Sequence, residues 1–164
     1  MDFDEEAFRA IMSVMTRREG EIVSTALIRN SVDGQSEELR KPIKQLIMLG
    51  ELTLIYVQQS GRVILNKSVH PDGEMQMTLS GENGVWRCYI AEDHKERYHS
   101  GLFKSKDSAK EFLWTRVGDR VGNLKRVPVV ENVYATEITG FEGYGSHTVV
   151  IRGEKINRHL SLKE

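Results

Sequence analysis

VWRCYIAEDHKERYHSGLFKSKDSAKEFL, from Val85 to Leu113, contains two short alternating strands that lead directly into a capped amphipathic helix. Successive side chains of a strand point to opposite faces. On the first strand Trp86, Cys88 and Ile90 therefore share one side, and Arg87 and Tyr89 the other. On the second, Tyr98, Ser100 and Leu102 oppose Arg97 and His99. A third strand over Met75 to Ser80 turns Met75, Met77 and Leu79 inward and sends Gln76, Thr78 and Ser80 outward. The outward groups make a flat polar platform of guanidinium, phenol, imidazole, amide and hydroxyl, chemistry that suits the donor and acceptor pattern of base edges. Behind the sheet, Ser105 is an N-cap and Asp107 sits in the first turn, where negative charge is favoured. Ala109, Phe112, Leu113 and Val117 recur at helical spacing to cover the apolar side.

Three pieces of this stretch resemble known DNA-binding modules. They are the W-x-x-x-I strand from Trp86 to Ile90, the R-Y-H-S-G-L-F strand end from Arg97 to Phe103, and the S-x-x-S-A-x-x-F-L helix start from Ser105 to Leu113. Together they resemble the DNA-binding domain of plant ethylene-response factors and the arm-binding domains of phage integrases, in which a three-stranded antiparallel sheet packs on one helix. The resemblance covers about a third of the chain, and the loop from Glu92 to Glu96 departs from both families. It implies that Arg87, Tyr89, Arg97 and His99 face the major groove; strand parity adds Gln76 and Thr78 to the same surface, and the expected mechanism has Lys95, Lys104 and Lys106 anchoring phosphates.

Charge is distributed in a way that agrees with this. The 164 residues carry a formal net charge of −1, too little to coat nucleic acid indiscriminately, since non-specific binding needs many phosphate contacts. Val85 to Arg126 nevertheless holds ten Lys or Arg against six Asp or Glu, whereas Met1 to His70 holds nine against ten. A hydrophobic content of 39% suffices for globular cores, in one medium domain or two small ones. The single cysteine, Cys88, cannot form an internal disulfide and alternates with Trp86 and Ile90 as a small core residue. With no secretory leader and no apolar run near the ~20 residues that span a bilayer, a cytoplasmic location is expected.

The first seventy residues read as three helices and a hairpin. Phe8, Ile11, Met12 and Met15 mark one face of a helix from Glu5 to Thr16, with Asp4 as its cap and Phe3 stapled to Phe8. Ile22, Ala26, Leu27 and Ile28 suggest a second helix started by Ser24 or Thr25, and Asp33-Gly34 supplies a turn. Ser36 caps a third helix in which Leu39, Ile43, Leu46 and Ile47 face inward, with Gly50 at its exit. Strands Leu52 to Val57 and Arg62 to Asn66 follow. The pattern S-x-x-L-x-x-x-I-x-x-L-I-x-L-G-x-L from Ser36 to Leu52 resembles the winged helix-turn-helix superfamily. That resemblance implies groove contacts from Gln35, Arg40, Lys41, Lys44 and Gln45, with Arg62 at the wing. Two departures count against it. Glu37 and Glu38 bring negative charge to the helix start, and Pro42 falls inside the helix, where it would remove a donor and kink the axis.

His70-Pro71-Asp72-Gly73 is a turn that separates the modules. After Arg126, Val127-Pro128 breaks the helix, Val129 to Thr136 reads as a strand, and His147 to Arg152 as another beyond a glycine-rich hairpin loop. That loop lacks the lysine and helix of a P-loop. The expected fold is α+β, with a winged helix-turn-helix at 1–68, a three-stranded antiparallel sheet packed on one helix at 74–126, and a β-hairpin extension at 127–164. No catalytic constellation, metal-ligand spacing or cofactor motif emerges from the five scattered histidines or the serines. The expected function is a non-enzymatic double-stranded DNA-binding protein, a transcriptional or replication regulator whose two-module layout resembles phage-encoded proteins. The alternative is a protein-interaction factor, an inhibitor or adaptor that docks on a partner through the acidic start of its third helix.

Overall fold

The computed structural model describes residues 2–19, 21–31, 39–57, 63–67, 85–92, 95–118, 124–139 and 146–154. At residues 29, 55–57, 63–67, 92, 95–100 and 154 the description is of the backbone. Two compact units emerge, one built on Asp2–Val69 and the other on His70–Glu92 and Glu96–Glu164.

In the first unit α1 spans Glu5–Arg17, β1 Val23–Ser24, α2 Thr25–Ser31, α3 Arg40–Met48, β2 Leu52–Val57 and β3 Val63–Lys67. The strands form an antiparallel sheet in the order β1-β3-β2, with Ile55 bulged out of the β2–β3 register. Local chemistry sets the helix ends. The Asp4 carboxylate accepts the Ala7 N–H at 3.0 Å, and the Phe3 ring staples to Phe8 at 5.6 Å between centroids. Ser24 works in two ways, pairing with Ile64 through its backbone while its hydroxyl accepts the Leu27 N–H at the head of α2. α3 closes on Gly50, whose φ of 81° favours glycine. The Gly50 N–H donates to the Ile47 carbonyl and the Glu51 N–H to Leu46, the reciprocal pair of a Schellman motif. Phe8, Ile11, Met15, Val23, Ile28, Leu46 and Leu52 fill the core between helices and sheet.

Pro42 does not kink α3. The helix begins at Arg40, so proline is its third residue, and a backbone N–H in the first turn has no intrahelical acceptor in any case. The proposed Ser36 cap, the Asp33-Gly34 turn, Gln35, Glu37, Glu38 and Arg62 all lie outside the described residues.

The second unit departs from the expected three-stranded sheet. β4 spans Val85–Glu92, β5 Lys95–Phe103, α4 Lys106–Val117, β6 Lys125–Arg126, β7 Val133–Ile138 and β8 His147–Glu154. They build a five-stranded antiparallel sheet in the order β5-β4-β8-β7-β6. The residues expected to form an appended hairpin are thus the middle of the sheet, with β8 paired along β4 from Val85↔Glu154 to Ala91↔Thr148 and along β7 on its other side. The physical reason lies in Thr148-Val149-Val150-Ile151. All four are β-branched and buried, and three consecutive apolar ones, Val149 to Ile151, need burial on both faces, which an interior strand supplies. Any strand over Met75 to Ser80 falls outside the described residues.

α4 covers one face. Ser105 caps it, its hydroxyl accepting the Ser108 N–H at 3.1 Å, and Asp107 sits in the first turn. Ala109, Leu113 and Val117 pack on Cys88, Ile90, Val149, Ile151 and Ile138, with Trp86, Phe103 and Phe112 half-buried around them. Trp86 lies against Gly153, its cross-strand partner, where an added Cβ would come within 3.5 Å of the ring. Glycine on β8 is what gives the indole its seat.

Candidate nucleic-acid interface

Pleat parity on β4 runs as the alternation requires, with Trp86, Cys88 and Ile90 toward α4. The other face is not a platform. Arg87 is 8% and Tyr89 0% exposed, and their face-mates Val85 and Ala91 are each 1% exposed. Because β4 is paired on both edges, Arg87 opposite Arg152 and Tyr89 opposite Val150, this face holds a second buried layer continuous with Val133 and Ala135 of β7. Neither the Arg87 guanidinium nor the Tyr89 phenol is available to a base edge. The expectation that these two side chains project outward is corrected by their burial.

β5 also differs from expectation at the end where its side chains are described. Leu102, expected inward, is 43% exposed, whereas Phe103 packs on the α4 side with its ring 5.0 Å from that of Phe112. Gly101 allows this, since a Cβ there would sit 2.8 Å from the Phe103 ring. The side chains of Lys95, Arg97 and His99, and all of Gln76 and Thr78, lie outside the described residues. Lys104 is exposed. Lys106 is half-buried with its ammonium 4.4 Å from the centroid of the Tyr134 ring.

A cationic group expected from the sequence is assembled on α3. Arg40 and Lys44 are four residues apart and Lys41 and Lys44 three, so the three side chains are neighbours on the helix surface. All three are exposed, while Pro42, Ile43, Leu46 and Ile47 point into the core. Gln45 does not join them. It is buried, and its amide nitrogen donates to the Asp2 carbonyl at 2.9 Å, tying the helix to the start of the chain. No carboxylate interrupts Arg40–Met48. Arg40 and Lys41 occupy the first turn, where the helix dipole disfavours cations and favours anions, so a phosphate placed there would relieve that penalty.

Cys88 is fully buried, and desolvation pushes its thiol up to about 12, against smaller opposing effects of a Gly101 backbone hydrogen bond and the Arg87 charge. Such a thiol is a core group, because the nucleophile is the thiolate. Among the described residues no cluster of His, Cys, Asp or Glu is arranged to hold a metal, and no helix is long and apolar enough to cross a membrane. Sequence patterning did not single out Lys110, Trp114 and Arg126, all exposed, because they lie outside the strand face on which the platform was expected. No family model, curated protein or solved structure matches this chain.

Proposed function

We propose that the protein is a non-enzymatic, double-stranded DNA-binding regulator of transcription or replication, and that α3 is the element that enters the major groove. The observation that carries this reading is the exposed Arg40, Lys41 and Lys44 triad on the outer side of a helix whose inner side is locked into the core. The order α1-β1-α2-α3-β2-β3, with its β1-β3-β2 sheet, supports a winged helix-turn-helix for this unit, because that arrangement presents a third helix to the groove and a hairpin to the backbone. Lys41 and Lys44 act on phosphates, and Arg40, at the leading end of the helix, is the residue suited to bidentate pairing with guanine. Three cations on a short helix give modest affinity, which fits a chain of near-zero net charge.

The test is a fluorescence-anisotropy titration of the full chain with a mixed-sequence duplex at two or more salt concentrations. Arg40→Ala, Lys41→Ala and Lys44→Ala together should weaken binding at least tenfold. The slope of log K against log salt should also fall in magnitude by about 1.8, roughly 0.9 for each of the two phosphates held by Lys41 and Lys44. Unchanged affinity and slope would overturn the assignment of α3.

A further inference from the structure

α4 covers only part of its sheet. It packs across β4 and β8, and toward the β5 edge Phe112 stacks on Phe103. Two residues on, the helix has turned by about 200°, so Trp114 projects from the opposite flank, with Lys110 one turn before it on the same side. Given the strand order, that flank overlooks β7 and β6. Tyr134, on the helix side of β7 beside Ile151, is half-buried, and Arg126 of β6, its partner in register, is exposed. The Lys106 ammonium over the Tyr134 ring closes one end of this shelf.

We propose that the shelf between α4 and the β7–β6 edge binds single-stranded nucleic acid, with an unpaired base stacked on Trp114 and phosphates held by Lys106, Lys110 and Arg126. Trp114 is 58% exposed, an unusual investment for the largest apolar side chain. Its ring offers an open π-face beside cations, the combination that holds single strands through stacking and backbone charge. A duplex cannot use that ring, since each of its bases already has both faces stacked. An acidic peptide would satisfy the lysines and leave the indole in water. Lys106 and Lys110 stand one turn apart, about 6 Å along the axis. On the shelf itself Lys106, Lys110 and Arg126 stand against Asp107, which lies two turns before Trp114 on the same line of the helix, and Glu111, which follows Lys110. This surface is independent of α3 and adds a second nucleic-acid activity of different strandedness.

The experiment uses the full chain and a twelve-residue oligo(dT), followed by intrinsic tryptophan emission and by anisotropy of a fluorescein-labelled copy. Saturable quenching is expected. Trp114→Leu should abolish the quenching and weaken binding about tenfold, whereas Trp114→Phe, which keeps a ring, should retain most of the affinity. Lys106→Gln with Lys110→Gln should weaken binding and lower the salt slope by about 1.4. The variant with Arg40, Lys41 and Lys44 replaced by alanine should bind oligo(dT) within twofold of wild type, which separates this surface from α3. Absence of saturable oligo(dT) binding, or binding indifferent to Trp114→Leu and to the lysine pair, would overturn the proposal. So would equal competition by a polyglutamate peptide, which would identify an acidic protein segment as the occupant.

Discussion

Cys88 has its thiol between β4 and α4, where burial holds it protonated to about pH 12 against an ordinary value of 9.0. A thiol whose folded value is raised stabilises the native state fully below its unfolded value, and that contribution is lost as pH climbs from about 9 toward 12. Two outcomes are expected. At pH 8 a disulfide exchange reagent should modify the native protein only on the timescale of unfolding, yet label it at once in guanidinium chloride. Between pH 9 and 12, wild type should lose more of its urea midpoint than Cys88→Ala does. Rapid labelling of the native protein would show the β4–α4 seam to be open. Tyr89, on the opposite face, is a second discriminating residue. Tyr89→Ala should destabilise the second unit by about 3–5 kcal/mol, as truncation of a buried aromatic does, measured by denaturant unfolding. A change of under 1 kcal/mol would mean that this ring is on the surface after all.

At the scale of elements, the helix ends at Asp4, Ser105 and Gly50 were legible because they are written within four residues of chain, whereas α3, expected to start from Ser36, has Leu39 at its N-cap with no side-chain cap. Asp4, Phe3, Ser105 and Gly50 act where their local chemistry puts them. Ser105→Ala should cost about 0.5–2 kcal/mol through loss of the α4 cap, and Gly50→Ala about 1–2 kcal/mol because alanine is forced to positive φ, both read as shifts of thermal midpoint. No shift in either would contradict the cap assignments. Strand parity was legible for Trp86, Cys88 and Ile90, whose alternation reports a face. Alternation is silent on what lies across the other face, and that is why Arg87 and Tyr89 misled. A polar face of an edge hairpin and a polar-looking face of an interior strand read identically in eight residues, and only the pairing of β8 distinguishes them. On β5 a glycine that lets the Phe103 ring fold back carries no periodic signal at all.

For the molecule as a whole, the order in which strands pair was the least legible property, since β4 finds β8 about sixty residues later in the chain. One consequence separates the observed sheet from the expected one. A chain ending at residue 126 lacks β7 and β8, and should lose amide protection throughout Val85–Phe103 while the first unit keeps its own. A native-like spectrum for that segment would restore the hairpin-extension picture. The α3 triad, by contrast, was legible in sequence. Arg40, Lys41 and Lys44 follow directly from a helix whose apolar positions are fixed, although Gln45 went inward instead because its amide reaches the Asp2 carbonyl.

The most direct measurement is amide chemical-shift mapping of the full chain titrated with a short mixed-sequence duplex. The largest perturbations should cluster on Arg40, Lys41 and Lys44, with Val85 to Ala91 unmoved. A titration that leaves α3 silent while shifting the β4 amides would contradict the account.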